Sequence, residues 1–371
     1  MAETRLFKPL KIGNVEIKHR IAMAPLTRFR ATDDRIPTPL MKEYYSQRAS
    51  TPGTLILSEG TLISPSACGG FANAPGIWSE EHIAGWKTIT DEIHRKGCAI
   101  FCQIFAMGRV ASVEGAIKDG VDIVAPSAIP IDEDASVPRA MTVEEIKQSV
   151  RDFADAARNA IRAGFDGVEV HGANGYLADQ FIQDTSNHRD DEYGGSVENR
   201  SRFINEVLQA VVDAVGGERI GLRLSPWSYF QGMRMQNPVP QFTDIITKSS
   251  GLNLAYLHLV ESRILGFKDA EGGESLDFAY KLWDGPILVA GGYKPLDAQK
   301  LVDQEYPDKD IVVVFGRHFI SNPDLVYRVR EGLKFTAYDR ETFYVCNSPV
   351  GYTDYPFSEE YLASANNTSI Y

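Results

Sequence analysis

The sequence predicts an α/β protein, a (β/α)8 TIM barrel that spans residues 1–371 as a single domain. Eight short apolar runs recur along the chain, and stretches of helical period lie between them. The runs are almost continuously apolar, as strands of a parallel sheet are when both of its faces are covered. Alternating strands and helices imply right-handed crossovers, and a closed barrel accommodates eight such units in one domain.

The predicted strands are Ile21–Leu26, Thr54–Gly60, Ala99–Ile104, Gly167–Gly172, Arg219–Ser225, Leu254–Val260, Pro286–Gly292 and Ile311–Arg317. The predicted helices are Pro39–Ser50, Ser79–Lys96, Thr142–Ala163, Ser196–Val215, Pro240–Gly251, Leu276–Trp283, Pro295–Glu305 and Pro323–Leu333. A doubly wound open sheet is the alternative. That fold usually has Gly-x-Gly-x-x-Gly after its first strand, whereas here the first run ends in Ala24-Pro25-Leu26-Thr27.

Three segments lie outside this alternation. Residues 6–18 alternate around Gly13-Asn14 and predict an N-terminal hairpin. Residues 105–141 follow the third strand and show no helical period, and Asp122–Ala125 reads as a short strand. We expect this insertion to cap the mouth of the barrel. Residues 334–371 are rich in Tyr and Phe, which predicts a C-terminal tail folded onto the barrel.

Composition excludes several classes of partner. A net charge of −12 argues against nucleic acid or an anionic membrane. No window approaches the ~20 apolar residues that span a bilayer, and the N-terminus has no apolar signal core. The four cysteines are few and scattered. We therefore expect a cytoplasmic protein with reduced thiols and no metal, which acts on a small molecule as a monomer or homodimer.

The fourth predicted strand leads into the first candidate site. His171, Asn174 and Tyr176 follow within six residues, at a carboxyl strand end, where TIM barrels carry their chemistry. The pattern suggests that His171 and Asn174 hold an oxygen that becomes negative, while Tyr176 gives up a proton. The alternatives are that Asn174-Gly175 is only a turn and that His171 is a satisfied structural residue.

The seventh and eighth strand ends suggest an anion site. Gly291-Gly292 and Gly316-Arg317 allow backbone amides to approach an oxyanion, and Arg317 adds a positive charge. Barrels of this type commonly bind phosphate at this position. The alternative is a tight turn followed by a surface cation.

Polar residues in other strands complete the pattern. Arg223 lies inside an apolar run and requires an anionic or electron-rich partner, either a ligand or an interior carboxylate such as Glu59 or Glu169. Gln103 offers a donor and an acceptor to a heterocycle edge, and Thr27 offers a hydroxyl. Together with a phosphate site, these residues describe a flavin mononucleotide, FMN.

Several motifs resemble the Old Yellow Enzyme family of FMN-dependent, NADPH-oxidising ene-reductases over almost the whole chain. The fungal branch that includes chanoclavine aldehyde reductases is similar at Phe101-Cys102-Gln103 and Tyr355-Pro356-Phe357-Ser358. The family motifs are Leu6-Phe7-Lys8-Pro9-Leu10, Ala24-Pro25-Leu26-Thr27-Arg28, Tyr44-Tyr45-Ser46-Gln47-Arg48-Ala49, Pro75-Gly76-Ile77-Trp78-Ser79, His171-Gly172-Ala173-Asn174-Gly175-Tyr176-Leu177, Ser186-Asn187-His188-Arg189, Tyr193-Gly194-Gly195-Ser196-Val197-Glu198-Asn199-Arg200, and Gly316-Arg317-His318-Phe319-Ile320-Ser321-Asn322-Pro323.

The resemblance implies a role for each site residue. His171 and Asn174 would bind the carbonyl oxygen of an activated alkene, Tyr176 would be the proton donor, and Tyr344 would line the substrate pocket. Phe105 would also line the substrate pocket and stands where relatives often have Trp, and His318 stands where they often have Phe or Tyr. The implied FMN ligands are Pro25, Thr27, Gly60, Gln103, Arg223, Gly291, Gly292, Gly316 and Arg317.

Two other functions remain open from the residues alone. A phosphate-binding barrel lyase or isomerase would be colourless and would need a lysine or clustered carboxylates at the strand ends. A flavin-dependent isomerase would be yellow but would not turn over with a nicotinamide cofactor and an enone.

Overall fold

Eight parallel strands close into a barrel, as predicted. The computed structural model describes residues 4–262, 264–265, 268–269 and 273–368, without the side chains of 264, 265, 268, 269 and 365–368. Each barrel strand pairs with its two neighbours, and the last pairs with the first. Counted from the N-terminus, the barrel strands are Ile21–Met23, Leu55–Leu57, Ala99–Phe105, Gly167–Gly172, Ile220–Leu224, Tyr256–Val260, Ile287–Ala290 and Ile311–Phe315.

Helices cover the barrel between its strands. The predicted seventh helix is shorter than expected, because a π-helical segment over Leu301–Glu305 replaces its second half. Within the described ranges, no helix combines the length and apolarity needed to cross a bilayer. The outer helices are Pro39–Arg48, Glu80–Arg95, Val143–Arg162, Val197–Val215, Val239–Ser250, Asp277–Leu282, Pro295–Lys300 and Leu325–Glu331, and the further helices are Val113–Asp119, Leu177–Ile182, Arg317–Ser321 and Glu359–Thr368.

Capping residues set the ends of the two long helices that flank the third strand. Ser79 Oγ accepts a hydrogen bond from the His82 N–H at 3.3 Å. Thr142 and Glu145 form the predicted capping box, in which each side chain binds the backbone N–H of the other. Gly164, at a φ of +88°, follows the end of the Thr142 helix, as a C′ glycine does.

Short strands accompany the barrel. Leu10–Ile12 pairs with Val15–Ile17 as an antiparallel hairpin across Gly13-Asn14. In the insertion, Val124–Ala125 pairs with Arg139–Ala140. Thr61–Leu62 extends the sheet beside the third strand, and Ile264–Leu265 pairs with Lys268–Asp269.

The expectation that residues 105–141 lack a helix was wrong. Val113–Asp119 is helical, with Ser112 as its N-cap and Gly120 at a φ of +68° as its end. The helix has seven residues, only two turns, which is too short for an apolar period to stand out.

The C-terminal tail is bound to the barrel by buried arginines. Arg28 donates to the carbonyl oxygens of Phe343 at 3.1 Å and Gly351 at 2.7 Å, and to the Tyr44 hydroxyl at 3.2 Å. Arg48 donates to the carbonyl of Tyr352 at 2.9 Å. The guanidinium groups therefore satisfy backbone carbonyls of a segment that has little regular structure of its own.

We expect Arg28→Met to lower the free energy of unfolding by about 3 kcal/mol, because the variant loses charge-assisted hydrogen bonds and leaves the buried Gly351 carbonyl without a donor. Urea denaturation measures this loss. The control is Arg151→Met, whose exposed side chain donates to Gln148 Oε1. Equal losses in the two variants would contradict the assigned role of Arg28.

Candidate active site

A cavity of about 670 Å³ opens at the carboxyl ends of the barrel strands. Its volume falls in the range of sites that bind cofactors and small ligands. Loops contribute an apolar part of its wall through Phe29, Phe71, Val110, Ile131 and Phe230. Twelve of the predicted site residues line it: Pro25, Thr27, Gln103, His171, Asn174, Tyr176, Arg223, Gly291, Gly292, Gly316, Arg317 and Tyr344.

Two predicted site residues, Gly60 and Phe105, do not line the cavity. Phe105 is 2% exposed, and its ring packs edge-on against the Tyr176 ring at 5.0 Å between centroids. A side chain at Gly60 would bring its Cβ within 3.0 Å of the Phe105 ring and 3.5 Å of Gln103 Oε1. Gly60 therefore makes room for Phe105, which supports Tyr176 from behind.

The segment after the fourth strand is a tight turn that also presents polar groups. Asn174 and Gly175 have φ values of +59° and +79°, positive at both central positions, as a type I′ turn requires. The Asn174 N–H donates to Ser225 Oγ at 2.8 Å. The turn interpretation and the functional interpretation of Asn174 are thus compatible, since the turn places its side chain and Tyr176 on the cavity wall.

A buried carboxyl group, Asp179, holds this turn from below. Its side chain accepts hydrogen bonds from the Gly175 N–H at 2.8 Å and from Gln183 Nε2 at 2.7 Å. Burial raises the pKa of Asp179 to about 7. From above, Gln231 packs so closely that a Cβ at Gly175 would lie 2.7 Å from the Gln231 Cβ. Only glycine fits between these two supports.

Burial keeps the polar groups of this wall uncharged. Desolvation, together with the positive charge of Arg223, lowers the pKa of His171 well below its ordinary value, so the imidazole is neutral. Among the described residues, none bonds His171 Nδ1. Burial raises the pKa of the Tyr176 phenol, and the neighbouring Gln231 side chain acts in the opposite direction. Both side chains therefore offer protons to a ligand rather than charges.

A second set of polar side chains lies on the third, fourth, fifth and sixth barrel strands. Gln103 Nε2 donates to Glu169 at 2.8 Å, and His258 Nδ1 lies 2.7 Å from the other oxygen of the same carboxylate. Arg223 is buried, and its Nε has no hydrogen-bond partner within the described ranges. Burial lowers the pKa of Arg223, and the charge of Glu169 acts in the opposite direction.

The other predicted partner of Arg223 is bound elsewhere. Glu59 accepts hydrogen bonds from the Arg28 N–H at 3.2 Å and the Tyr45 hydroxyl at 3.4 Å. Burial raises the pKa of Glu59 to about 7. The guanidinium group of Arg223 therefore remains available to an electron-rich ligand at the cavity wall.

The seventh and eighth strand ends form the opposite part of the cavity. Gly292 has a φ of +67°, a left-handed backbone conformation that favours glycine. Arg317 Nη1 donates at 3.2 Å to the hydroxyl of Tyr338, which belongs to the C-terminal tail. The tail therefore contacts the residue that is predicted to bind the anion. The ring of His318 packs beside Phe335 and Tyr338, at centroid distances of 5.1 and 5.6 Å.

These features fit FMN. The unbonded Nε of Arg223 and the amide of Gln103 suit the polar edge of its ring, and the glycines with Arg317 suit its phosphate. In the described part of the chain, no group of three or more His, Cys, Asp or Glu side chains is arranged to hold a metal.

Three residues that contribute to this site were not identified from the sequence. His258 was detectable, because it interrupts an apolar strand in the same way as Arg223 does. Arg109 and Gln231 were not. Arg109 donates to the Gln231 carbonyl at 3.1 Å and to the Pro130 carbonyl at 3.2 Å, which connects the insertion to the loop after the fifth strand.

Fold and site together define a TIM-barrel flavoprotein in which polar side chains of the fourth strand end and the predicted flavin ligands share one cavity. The chain belongs to the NADH:flavin oxidoreductase / NADH oxidase family, whose model matches residues 5–335. It is an FMN-dependent oxidoreductase of the Old Yellow Enzyme type.

Known proteins are similar to this chain over nearly its full length. The NADP-dependent oxidoreductase lnbE of Aspergillus flavus is 52% identical over 96% of this chain and 97% of its own. The chanoclavine-I aldehyde reductase fgaOx3 of Penicillium roqueforti is 53% identical over 96% and 98% of the two chains. The crystal structure of Old Yellow Enzyme from Pichia sp. AKU4542 superposes with a TM-score of 0.89 at 39% identity, covering 96% of this chain and 95% of that one.

Proposed function

We propose that the protein is an ene-reductase, which reduces the activated C=C bond of an α,β-unsaturated aldehyde or ketone. The observation that carries this proposal is the single cavity lined by His171, Asn174 and Tyr176 together with Gln103 and Arg223. The first three suit a carbonyl oxygen and a proton transfer, and the last two suit a flavin ring. Neither group is sufficient for the reaction without the other.

Bound FMN, after reduction by NADPH, would supply the hydride that the β-carbon of the substrate receives. As that transfer proceeds, negative charge grows on the carbonyl oxygen. His171 and Asn174 hold this oxygen, and two fixed donors stabilise the charge more in the transition state than in the ground state. Tyr176 then gives its phenolic proton to the α-carbon as a general acid.

The surroundings of the polar groups support an apolar substrate. Phe29, Phe71 and Tyr344 form a chain of ring contacts at the cavity wall, with centroids 5.2 and 5.5 Å apart. The name of the Aspergillus flavus relative supports NADPH as the reductant, and the name of the Penicillium roqueforti relative supports an aldehyde. We infer that the substrate is an unsaturated aldehyde of fungal secondary metabolism.

The visible spectrum of the purified protein tests this function. An ene-reductase is yellow, loses its colour on anaerobic addition of NADPH and regains it when an enal or enone is added. A colourless protein would favour a barrel lyase or isomerase without redox cofactor. A yellow protein that NADPH does not bleach, or that an enone does not reoxidise, would favour a flavin-dependent isomerase.

We expect the rate of reoxidation by an enal to be independent of pH between about pH 8 and 10, above the range in which Asp179 titrates with its pKa of about 7. His171 is already neutral above the lower limit because its pKa is lowered, and Tyr176 is still protonated below the upper limit because its pKa is raised. Stopped-flow absorbance of the pre-reduced enzyme measures this rate. A break between about pH 8 and 10 would show that His171 or Tyr176 titrates in the working enzyme and would contradict the assigned protonation states.

A further inference from the structure

The carboxylate of Glu169 lies inside the barrel and belongs to none of the groups that touch the substrate in the proposed reaction. It is 0% exposed, as is His258, and Gln103 is 3% exposed. The carboxylate bridges these two side chains, with one oxygen 2.8 Å from Gln103 Nε2 and the other 2.7 Å from His258 Nδ1. A buried carboxylate is costly, so its presence beneath a cofactor cavity calls for a reason.

The charges in this layer can be assigned. Burial raises the pKa of Glu169, but the hydrogen bonds from His258 and Gln103 and the charge of Arg223 act in the opposite direction, and the pKa lies below its ordinary value. Burial lowers the pKa of His258. A neutral His258 donates its Nδ1–H to the carboxylate, while its Nε2 has no partner in the described part of the chain. The layer therefore holds one negative charge, on Glu169, and one positive charge, on Arg223.

The carboxylate also fixes which way the Gln103 amide points. An ionised carboxylate only accepts hydrogen bonds, so the Gln103 atom 2.8 Å away must be the NH2 group. The amide oxygen is thereby oriented away from Glu169 and can serve as an acceptor. Without this contact, a glutamine amide could rotate and present either end to a ligand.

We propose that Glu169 is a positioning residue and buried counter-charge for FMN, which orients the Gln103 amide and balances the charge of Arg223, and thereby sets the reduction potential of the flavin. This inference rests on the proposed placement of the flavin ring beside Gln103 and Arg223. Two separable effects follow, one from hydrogen-bond geometry and one from charge.

Two substitutions separate the effects. Glu169→Gln keeps the shape of the side chain and removes its negative charge. Both hydrogen bonds persist, because the new amide N–H donates to His258 Nδ1 once the imidazole proton has moved to Nε2. Arg223 is then unbalanced and favours reduced, anionic FMN over oxidised FMN. Glu169→Asp keeps the charge but shortens the side chain by one methylene, so the contact with Gln103 is lost.

The experiment measures the midpoint potential and the FMN dissociation constant of the holoenzyme and both variants. We expect Glu169→Gln to increase the affinity for reduced FMN, relative to the affinity for oxidised FMN, at least tenfold over the wild-type ratio. This change corresponds to a positive shift of the midpoint potential by about 30 mV or more for a two-electron couple. We expect Glu169→Asp to raise the dissociation constant of FMN about tenfold with little change in potential.

The matched control is Asp324→Asn, another fully buried carboxylate, which pairs with Arg328 outside the barrel and does not line the cavity. The inference is overturned by an unchanged or more negative potential in Glu169→Gln, or by a shift of equal size in the control. It is also overturned if Glu169→Gln does not fold, because the carboxylate would then serve barrel closure. A colourless wild-type protein would instead refute the proposed function.

Discussion

Tyr176→Phe is expected to slow reoxidation of the reduced enzyme by an enal by about 10²- to 10⁴-fold, the range that general acid catalysis contributes. Reduction by NADPH should be nearly unchanged, because that half-reaction needs no proton from the phenol. The substitution is conservative in packing, since the Tyr176 ring already lies among the rings of Phe71, Phe105 and His171. Stopped-flow measurement of each half-reaction separately gives the two rates.

Two comparisons make this result specific. Reoxidation by a quinone, which needs no proton on carbon, should proceed in Tyr176→Phe at close to the wild-type rate. Tyr344→Phe removes the other phenol predicted for the substrate pocket, on a side chain that is 42% exposed, and should slow the enal reaction less than tenfold. If Tyr176→Phe slowed both half-reactions equally, the phenol would not be the proton donor.

Periodicity was sufficient to predict the barrel, because each strand is an apolar run between amphipathic helices. The same signal placed the ends of several strands too far along the chain. The first strand ends at Met23 rather than Leu26, since Pro25, Leu26 and Thr27 leave the sheet and line the cavity. Apolar character alone does not distinguish a residue that pairs in the sheet from one that faces a ligand.

The site was predictable where a polar residue interrupts an apolar strand or follows its carboxyl end. Arg223 was found by the first signal, and Gln103, His171 and Asn174 by the second. The sequence could not determine on which side of the cavity wall a residue lies. Phe105 is therefore behind Tyr176 rather than in the cavity, although it follows Gln103 by only two positions in the same strand.

Contacts between distant loops were beyond prediction from the sequence. Arg109 joins the insertion to the loop after the fifth strand through backbone carbonyls, which carry no sequence signature. Arg28 was recognised within a family motif, yet its role as an anchor of the C-terminal tail depends on carbonyl oxygens more than 300 residues away. These contacts matter for function because the tail and the insertion supply Tyr344, Val110 and Ile131 to the cavity wall.

Replacing both His171 and Asn174 with Ala is expected to weaken the binding of phenolic ligands by at least 10²-fold and to slow enal reduction by a similar or larger factor. A phenolate resembles the oxygen that becomes negative in the reaction, and each lost donor to such an oxygen typically costs about 10²- to 10³-fold in rate. Titration with a para-substituted phenol, followed in the visible spectrum of the bound flavin, measures the affinity. Unchanged phenol affinity would contradict the oxyanion role.

Separating the contribution of Asn174 from that of His171 requires a control for the backbone conformation of Asn174. Asn174 has a φ of +59°, where alanine is strained but glycine is not, so Asn174→Ala removes the amide and also strains the turn that carries Tyr176. Asn174→Gly removes the amide alone. Equal losses of phenol affinity in Asn174→Gly and Asn174→Ala would assign the effect to the lost donor. A loss confined to Asn174→Ala would mean that the residue acts through the turn, and His171 would then be the principal donor to the oxygen.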